Sequence, residues 1–118
     1  RTHSLARALR RVPASAVKVL LSHSPAIHRE AARNGVQAVL AGHTHGGQVC
    51  LPGGRILVRN DDSPPQLLRG AWRYGEVRGY TSSGTGACGL PIRINCPPEV
   101  TLHELVPADG RPAPGTVS

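Results

Sequence analysis

Apolar positions along the first third of the chain change period from helical to strand-like and back. Leu5, Leu9 and Val12 recur at helical spacing within the basic stretch 1–11, and Pro13 closes it, which predicts the end of an amphipathic helix. Val17-Lys18-Val19-Leu20-Leu21 is a short β-branched and aliphatic run and predicts a buried strand. It ends in Ser22-His23-Ser24-Pro25, where Ser24 suits a helix N-cap and Pro25 the first helical position. The helix is expected to run to about Asn34, with Ile27 and Ala31 one turn apart on its inner face and Gly35 as the residue that stops it. A second apolar run, residues 36–41, predicts the next strand.

Strand, helix and strand in this order give a right-handed crossover and a parallel pair. In such a pair both C-terminal ends lie on one edge of the sheet. His23 leaves the first strand there, and His43 and His45 leave the second, in Gly42-His43-Thr44-His45-Gly46-Gly47-Gln48. That edge is where open α/β sheets place their sites. Neutral imidazole is a common ligand for zinc, iron and manganese. The flanking glycines permit positive φ and close approach of a ligand. His28, inside the helix, and His103, in the last predicted strand, have no such placement and read as ordinary surface or core histidines.

Beyond the histidines, residues 48–51 and 55–58 flank Pro52-Gly53-Gly54, a hairpin signal. Residues 60–73 read as an irregular insertion, followed by a strand at 75–80. Residues 81–89 (TSSGTGACG) form a polar, glycine-rich loop able to offer N–H groups and hydroxyls to an anion, without the Gly-Lys-Ser/Thr of a nucleotide-binding loop. Two further strands are expected at 91–95 and 99–105, with Cys96-Pro97-Pro98 between them. The domain organisation is therefore residues 1–105 as part of one α/β domain and 106–118, rich in Pro, Gly and Ala, as a disordered tail.

Composition narrows the functions. At 118 residues the chain holds one small domain with a modest core. Its net charge of +7, from thirteen arginines and one lysine against seven acids, suits nucleic acid, an anionic membrane surface or a phosphorylated substrate. Only three aromatic residues, Trp72, Tyr74 and Tyr80, are present, too few for a base-stacking platform. Cys50, Cys88 and Cys96 are odd in number and lack Cys-x-x-Cys spacing, which argues against a disulfide framework; Cys88 and Cys96 could pair in an oxidising compartment. No transmembrane run or signal peptide is visible. A chain beginning at Arg1 and containing no Met reads as a piece of something longer.

The order of motifs resembles the C-terminal half of a calcineurin-like metallophosphoesterase. The resemblance rests on Leu21-Ser22-His23-Ser24-Pro25, Gly42-His43-Thr44-His45-Gly46-Gly47-Gln48, Ser83-Gly84-Thr85-Gly86, Gly89-Leu90-Pro91-Ile92-Arg93 and Pro97-Pro98-Glu99, and it spans residues 17–105. It looks closest to a bacterial phosphodiesterase branch whose members are often membrane-anchored or exported. The fold it implies is a four-layer sandwich, two β-sheets flanked by helices, here without its N-terminal half. The cofactors it implies are two divalent metal ions, manganese, iron or zinc. By position His23 and His43 would bind one metal and His45 the other, while Gly46, Gly47, Gly84 and Gly86 would line the substrate side. The family's Asp-x-His, Gly-Asp and Gly-Asn-His blocks do not occur, so no catalytic residue of that set is assigned within these residues. The expected partners are a phosphoester substrate and the missing half of the domain, with membrane association through that half. The isolated chain is expected to bind metal weakly and not to turn over.

Two other classes compete with the enzyme. One is a non-catalytic zinc module built from His23, His43, His45 and Cys50, although Cys50 also fits an inward-facing core position. The other is a basic nucleic-acid-binding domain, which has charge in its favour but no recognised motif.

Overall fold

The computed structural model describes residues 4–107; the predicted tail from residue 108 onward, and the first three residues of the N-terminal helix stretch, lie outside the described residues. A short helix, α1 (Leu5–Leu9), is capped by the Ser4 hydroxyl, which accepts from the Arg7 N–H at 3.4 Å, and it buries Leu5. The strand β1 (Val19–Ser22) follows, then a single 3₁₀ turn at Pro25–Ile27 and the helix α2 (His28–Arg33). Ser24 caps this turn, its hydroxyl accepting from Ala26 N–H at 3.0 Å, with Pro25 at the first position as expected. Gly35 takes a φ of +64°. The N–H groups of Gly35 and Val36 then bond the Ala32 and Ala31 carbonyls, at 3.2 and 3.0 Å. That is a glycine-terminated helix end, with the orphan carbonyls satisfied by the departing chain.

The strand β2 (Ala38–Ala41) runs parallel to β1, with Ser22 opposite Ala41 at the common end. The segment expected to be irregular contains a further 3₁₀ turn (Pro65–Leu67) and a strand, β3 (Gly70–Tyr74), that pairs antiparallel with β4 (Val77–Thr81). Gly75 and Glu76 make the tight turn between them, with Gly75 at φ +57°. β4 also pairs parallel with β2, which puts Thr81 beside Ala41. The sheet order is β1-β2-β4-β3.

The core lies on the sheet face covered by the two helices. Val39, Ala41, Trp72 and Val77 meet Leu5, Ala31, Val36 and Leu67 there. Trp72 occupies the space over Gly79: a Cβ at that position would fall 2.1 Å from the indole ring. Its Nε1–H donates to Thr81 Oγ1 at 2.8 Å, and the Thr81 hydroxyl donates to the Leu67 carbonyl at 2.6 Å. The strand expected to be buried is not: the other face of β1 is bare, with Leu21 75% exposed, because nothing among the described residues covers it.

Three further expectations, all of strands, are corrected. The hairpin at 48–58 is reduced to one antiparallel bridge, Cys50–Ile56, and the predicted strand at 91–95 to one parallel bridge, Val49–Ile94. Residues 99–105 form no strand, and Val100 and Leu102 stand 89% and 94% exposed. A strand is stable only with a partner and a covered face, and here neither is supplied. Among the described residues the fold is therefore a mixed α/β unit with one four-stranded sheet, and the second sheet of a four-layer sandwich is absent.

Candidate metal centre

Parallel register is what assembles the site. Ala41 at the C-terminal end of β2 pairs with Ser22 at the end of β1 on one side and with Thr81 at the end of β4 on the other. The loops that carry His23, His43 and Ser83 therefore start side by side. The Gly42 N–H bonds the His23 carbonyl at 3.3 Å, and the His23 and His43 rings lie with centroids 4.4 Å apart at 42°.

The loop after β2 is held in an unusual conformation. His43, His45, Gly46, Gly47 and Gln48 all have φ between +50° and +81°. For a non-glycine residue this region costs on the order of 1–2 kcal/mol, so the surroundings must impose it. Thr44 does much of this from a buried position: its hydroxyl donates to the Leu68 carbonyl at 2.7 Å and accepts from the Gly46 N–H at 3.2 Å. Asn60 Nδ2 donates to the His43 carbonyl at 3.0 Å. Gly46 and Gly47 are buried against protein. A Cβ on Gly46 would sit 2.8 Å from Ser83 Cβ and 2.9 Å from Cys96 Sγ, and one on Gly47 would sit 2.3 Å from Ile56 Cγ2. Gly84 borders open space, and Gly86 lies beside the His45 ring.

His45 meets the glycine-rich loop, where its Nδ1 lies 3.3 Å from the Gly86 carbonyl. A carbonyl only accepts, so Nδ1 donates in this contact, which in the neutral ring leaves the lone pair on Nε2. That loop is pinned at three points. Glu99 accepts from the Ser83 N–H at 3.0 Å and the Tyr80 hydroxyl at 3.1 Å. The Gln48 amide bonds the Cys88 N–H and the Cys88 and Leu90 carbonyls at 2.7–3.1 Å. Arg93 donates to the Ser83 and Gly86 carbonyls, at 2.6 Å and 2.5 Å.

Asp61 was not singled out by spacing, yet it packs against the site. It accepts from the Ser24 hydroxyl and, at 2.8 Å, from the Ser63 N–H. Partial burial pushes its carboxyl up, but the bonds from Ser24 and Ser63, with His43 nearby, outweigh this and the net shift is downward. Glu99 follows the same pattern: burial raises it, hydrogen bonds from Ser83, Tyr80 and Ser82 lower it more. No sequence pattern marks Asp61, because only the return of the 60–63 segment to β1 brings it there.

Cys50 and Cys96 are buried beneath the loop, both thiols directed at the Gly46 carbonyl, at 3.4 and 3.5 Å. Burial, then the neighbouring Cys96 thiol, pushes the Cys50 thiol up. Cys88 is exposed and all three are free. Cys50 therefore takes the core position, and the structure does not bring it to one point with His23, His43 and His45. His28 is buried, its Nδ1 3.1 Å from the Pro25 carbonyl and its ring edge-on to Tyr74, and His103 lies edge-on to Tyr80.

The donor set fits a divalent metal in part. His23 and His43 are close enough to share one ion, and the His45 ring is held from the same loop by the Gly86 carbonyl. Among the described residues, however, no three His, Cys, Asp or Glu side chains converge on one point. A closed tetrahedral site is therefore not formed, and the histidines make an open, incomplete ligand set. Beside it, a mostly apolar cavity of about 400 Å³ is lined by Thr44, His45, Gln48, Val58, Leu90 and Ile92 among others.

Comparison with known proteins defines the class. The chain is 36% identical over 92 residues to the phosphodiesterase YaeI of Escherichia coli (strain K12), covering 75% of this chain and 32% of that protein. It is 34% identical over 97 residues to an uncharacterized metallophosphoesterase of Aquifex aeolicus (strain VF5), covering 80% and 34%. It is also 32% identical over 90 residues to the uncharacterized metallophosphoesterase YkuE of Bacillus subtilis (strain 168), covering 74% and 30%. The chain belongs to the metallophosphoesterase family, and it spans about a third of the length of the curated relatives it matches. No family model matches it, and no solved structure does. No helix among the described residues is long and apolar enough to cross a membrane.

Proposed function

We propose that these residues form the C-terminal part of a calcineurin-like, two-metal phosphoester hydrolase whose sandwich and active site are completed by an N-terminal half. In this reading His23 and His43 hold one divalent ion, manganese, iron or zinc, and His45 holds the second. Such a pair of ions, when bound, supplies an activated water and neutralises charge on the phosphoryl oxygens. The work of this chain is to fix three imidazoles before any ion arrives. The left-handed loop, the buried Thr44 and the Gly86 carbonyl do so, which suits a site that must not reorganise during reaction. The substrate is a phosphoester, and any membrane association lies in the completing half. The isolated 118-residue chain is inactive because the bridging carboxylate and the leaving-group acid belong to that half.

The observation that carries this reading is the register of β1 and β2, with the His23 and His43 ring centroids 4.4 Å apart at the sheet edge. The bare face of β1 and the exposed Val100 and Leu102 support a domain completed elsewhere. The likeness to a phosphodiesterase supports the reaction type. The alternatives of a closed zinc module and a nucleic-acid-binding domain have no observation in their favour beyond composition. The test is elemental analysis and phosphodiesterase assay of the full-length protein beside His43→Ala and His45→Ala. About two metals per chain, partly lost in each variant together with activity, is the expected result. One tightly held zinc without activity, or no metal at all, overturns the reading.

A further inference from the structure

We propose that Arg93 is a positioning residue: it holds the Gly86 carbonyl in place and thereby fixes the orientation and tautomer of His45. The inference rests on the reading of His45 as a metal ligand. The Arg93 guanidinium reaches three separate parts of the site. Its Nε and Nη2 donate to the Gly86 carbonyl at 2.9 and 2.5 Å, and Nη2 also donates to the Ser83 carbonyl at 2.6 Å. Its Nη1 donates to the Cys96 carbonyl at 3.3 Å and to the His45 carbonyl at 3.5 Å.

The same Gly86 oxygen faces His45 Nδ1 at 3.3 Å. One guanidinium thus fixes both the backbone of His45 and the acceptor that its ring must match. The planar five-donor fork of arginine suits such a task, and a lysine ammonium cannot span the same carbonyls. The need is local. Residues 85–90 are exposed, and Gly84 and Gly89 leave the backbone free to take many conformations. Glu99 and Gln48 pin the two ends of this loop, while Gly86 in its middle is held by Arg93. A carbonyl partner that orients a ligating imidazole through its second nitrogen governs metal affinity, and loss of such a partner costs about 10–100-fold.

The test is long-range 1H–15N NMR of the histidine rings in the metal-free full-length protein, comparing the parent with Arg93→Met and Arg93→Lys, followed by titration with Mn2+. In the parent, His45 is expected as the Nδ1–H tautomer. In Arg93→Met it should become a mixture while the His23, His43 and His28 signals stay in place, and Mn2+ affinity should fall about 10–100-fold. Loss of the tautomer with unchanged Mn2+ affinity sustains the positioning role and overturns the ligand reading of His45. An unchanged His45 tautomer in Arg93→Met overturns the proposal whatever the affinity. If Arg93→Met unfolds, Arg93→Lys decides: a folded variant with a mixed His45 tautomer sustains the proposal, and one with the parent's tautomer overturns it.

Discussion

Replacing Gly46 with alanine tests whether the His43–Gln48 loop is held as described. Gly46 has φ +60°, where an L side chain costs about 1–2 kcal/mol. The added methyl would also lie 2.8 Å from Ser83 Cβ, 2.9 Å from Cys96 Sγ and 3.3 Å from Arg69 Cδ. The first two belong to buried residues packed under the loop, so they give way only by moving backbone, and overpacking of that kind costs about 1–3 kcal/mol. Gly84 supplies the control. Its φ is +61°, but a methyl there would meet nothing within 4 Å, so Gly84→Ala bears the backbone cost alone. Urea unfolding of the full-length protein, followed by Trp72 fluorescence, should show Gly46→Ala less stable than Gly84→Ala by the packing cost, about 1–3 kcal/mol. Equal losses in the two variants would refute the argument, since Gly46 would then not be packed against Ser83 and Cys96.

Thr81→Val removes the hydroxyl that joins Trp72 Nε1 to the Leu67 carbonyl; each buried group left unpaired costs about 1–3 kcal/mol, and a urea midpoint unchanged at constant slope would count against that bridge. The downward shifts of Asp61 and Glu99 mean that each carboxylate contributes stability above its unfolded pKa, ordinarily 3.8 and 4.5, and that this is lost as pH falls through the lower folded value. Asp61→Asn and Glu99→Gln should therefore flatten the loss of thermal stability below about pH 5, and an acid limb identical to the parent's would contradict both hydrogen-bond networks.

Much of the site was legible because its signals are local. Ser24, Pro25 and Gly35 mark the ends of a helical segment by backbone chemistry that needs no tertiary partner, and the parallel crossover follows from chain handedness. That logic brought His23 and His43 to one edge across twenty residues of sequence. The strand β3 was hidden by the Pro64-Pro65 and Asp61-Asp62 before it. Its own signals, Trp72 and Tyr74 alternating with Arg73 and the tight turn at Gly75, are short, and what stabilises it is Trp72 filling the space over Gly79 of β4.

The tertiary structure alone decided the rest. Strand-forming patterns at 91–95 and 99–105 yield only the Val49–Ile94 bridge and no strand, because a strand needs a neighbour and a covered face, which pattern cannot supply. The left-handed backbone at His43 and His45 is imposed by Thr44, Leu68 and Asn60, contacts made across distant segments. Asp61 beside Ser24, Arg93 on the Gly86 carbonyl, and Cys50 turned into the core rather than toward the histidines all depend on where loops return. The sequence determined which residues carry the chemistry and at which edge of the sheet they stand. Only packing decided how the His45 imidazole is aimed, because its ring partner, the Gly86 carbonyl, lies 41 residues away in the chain.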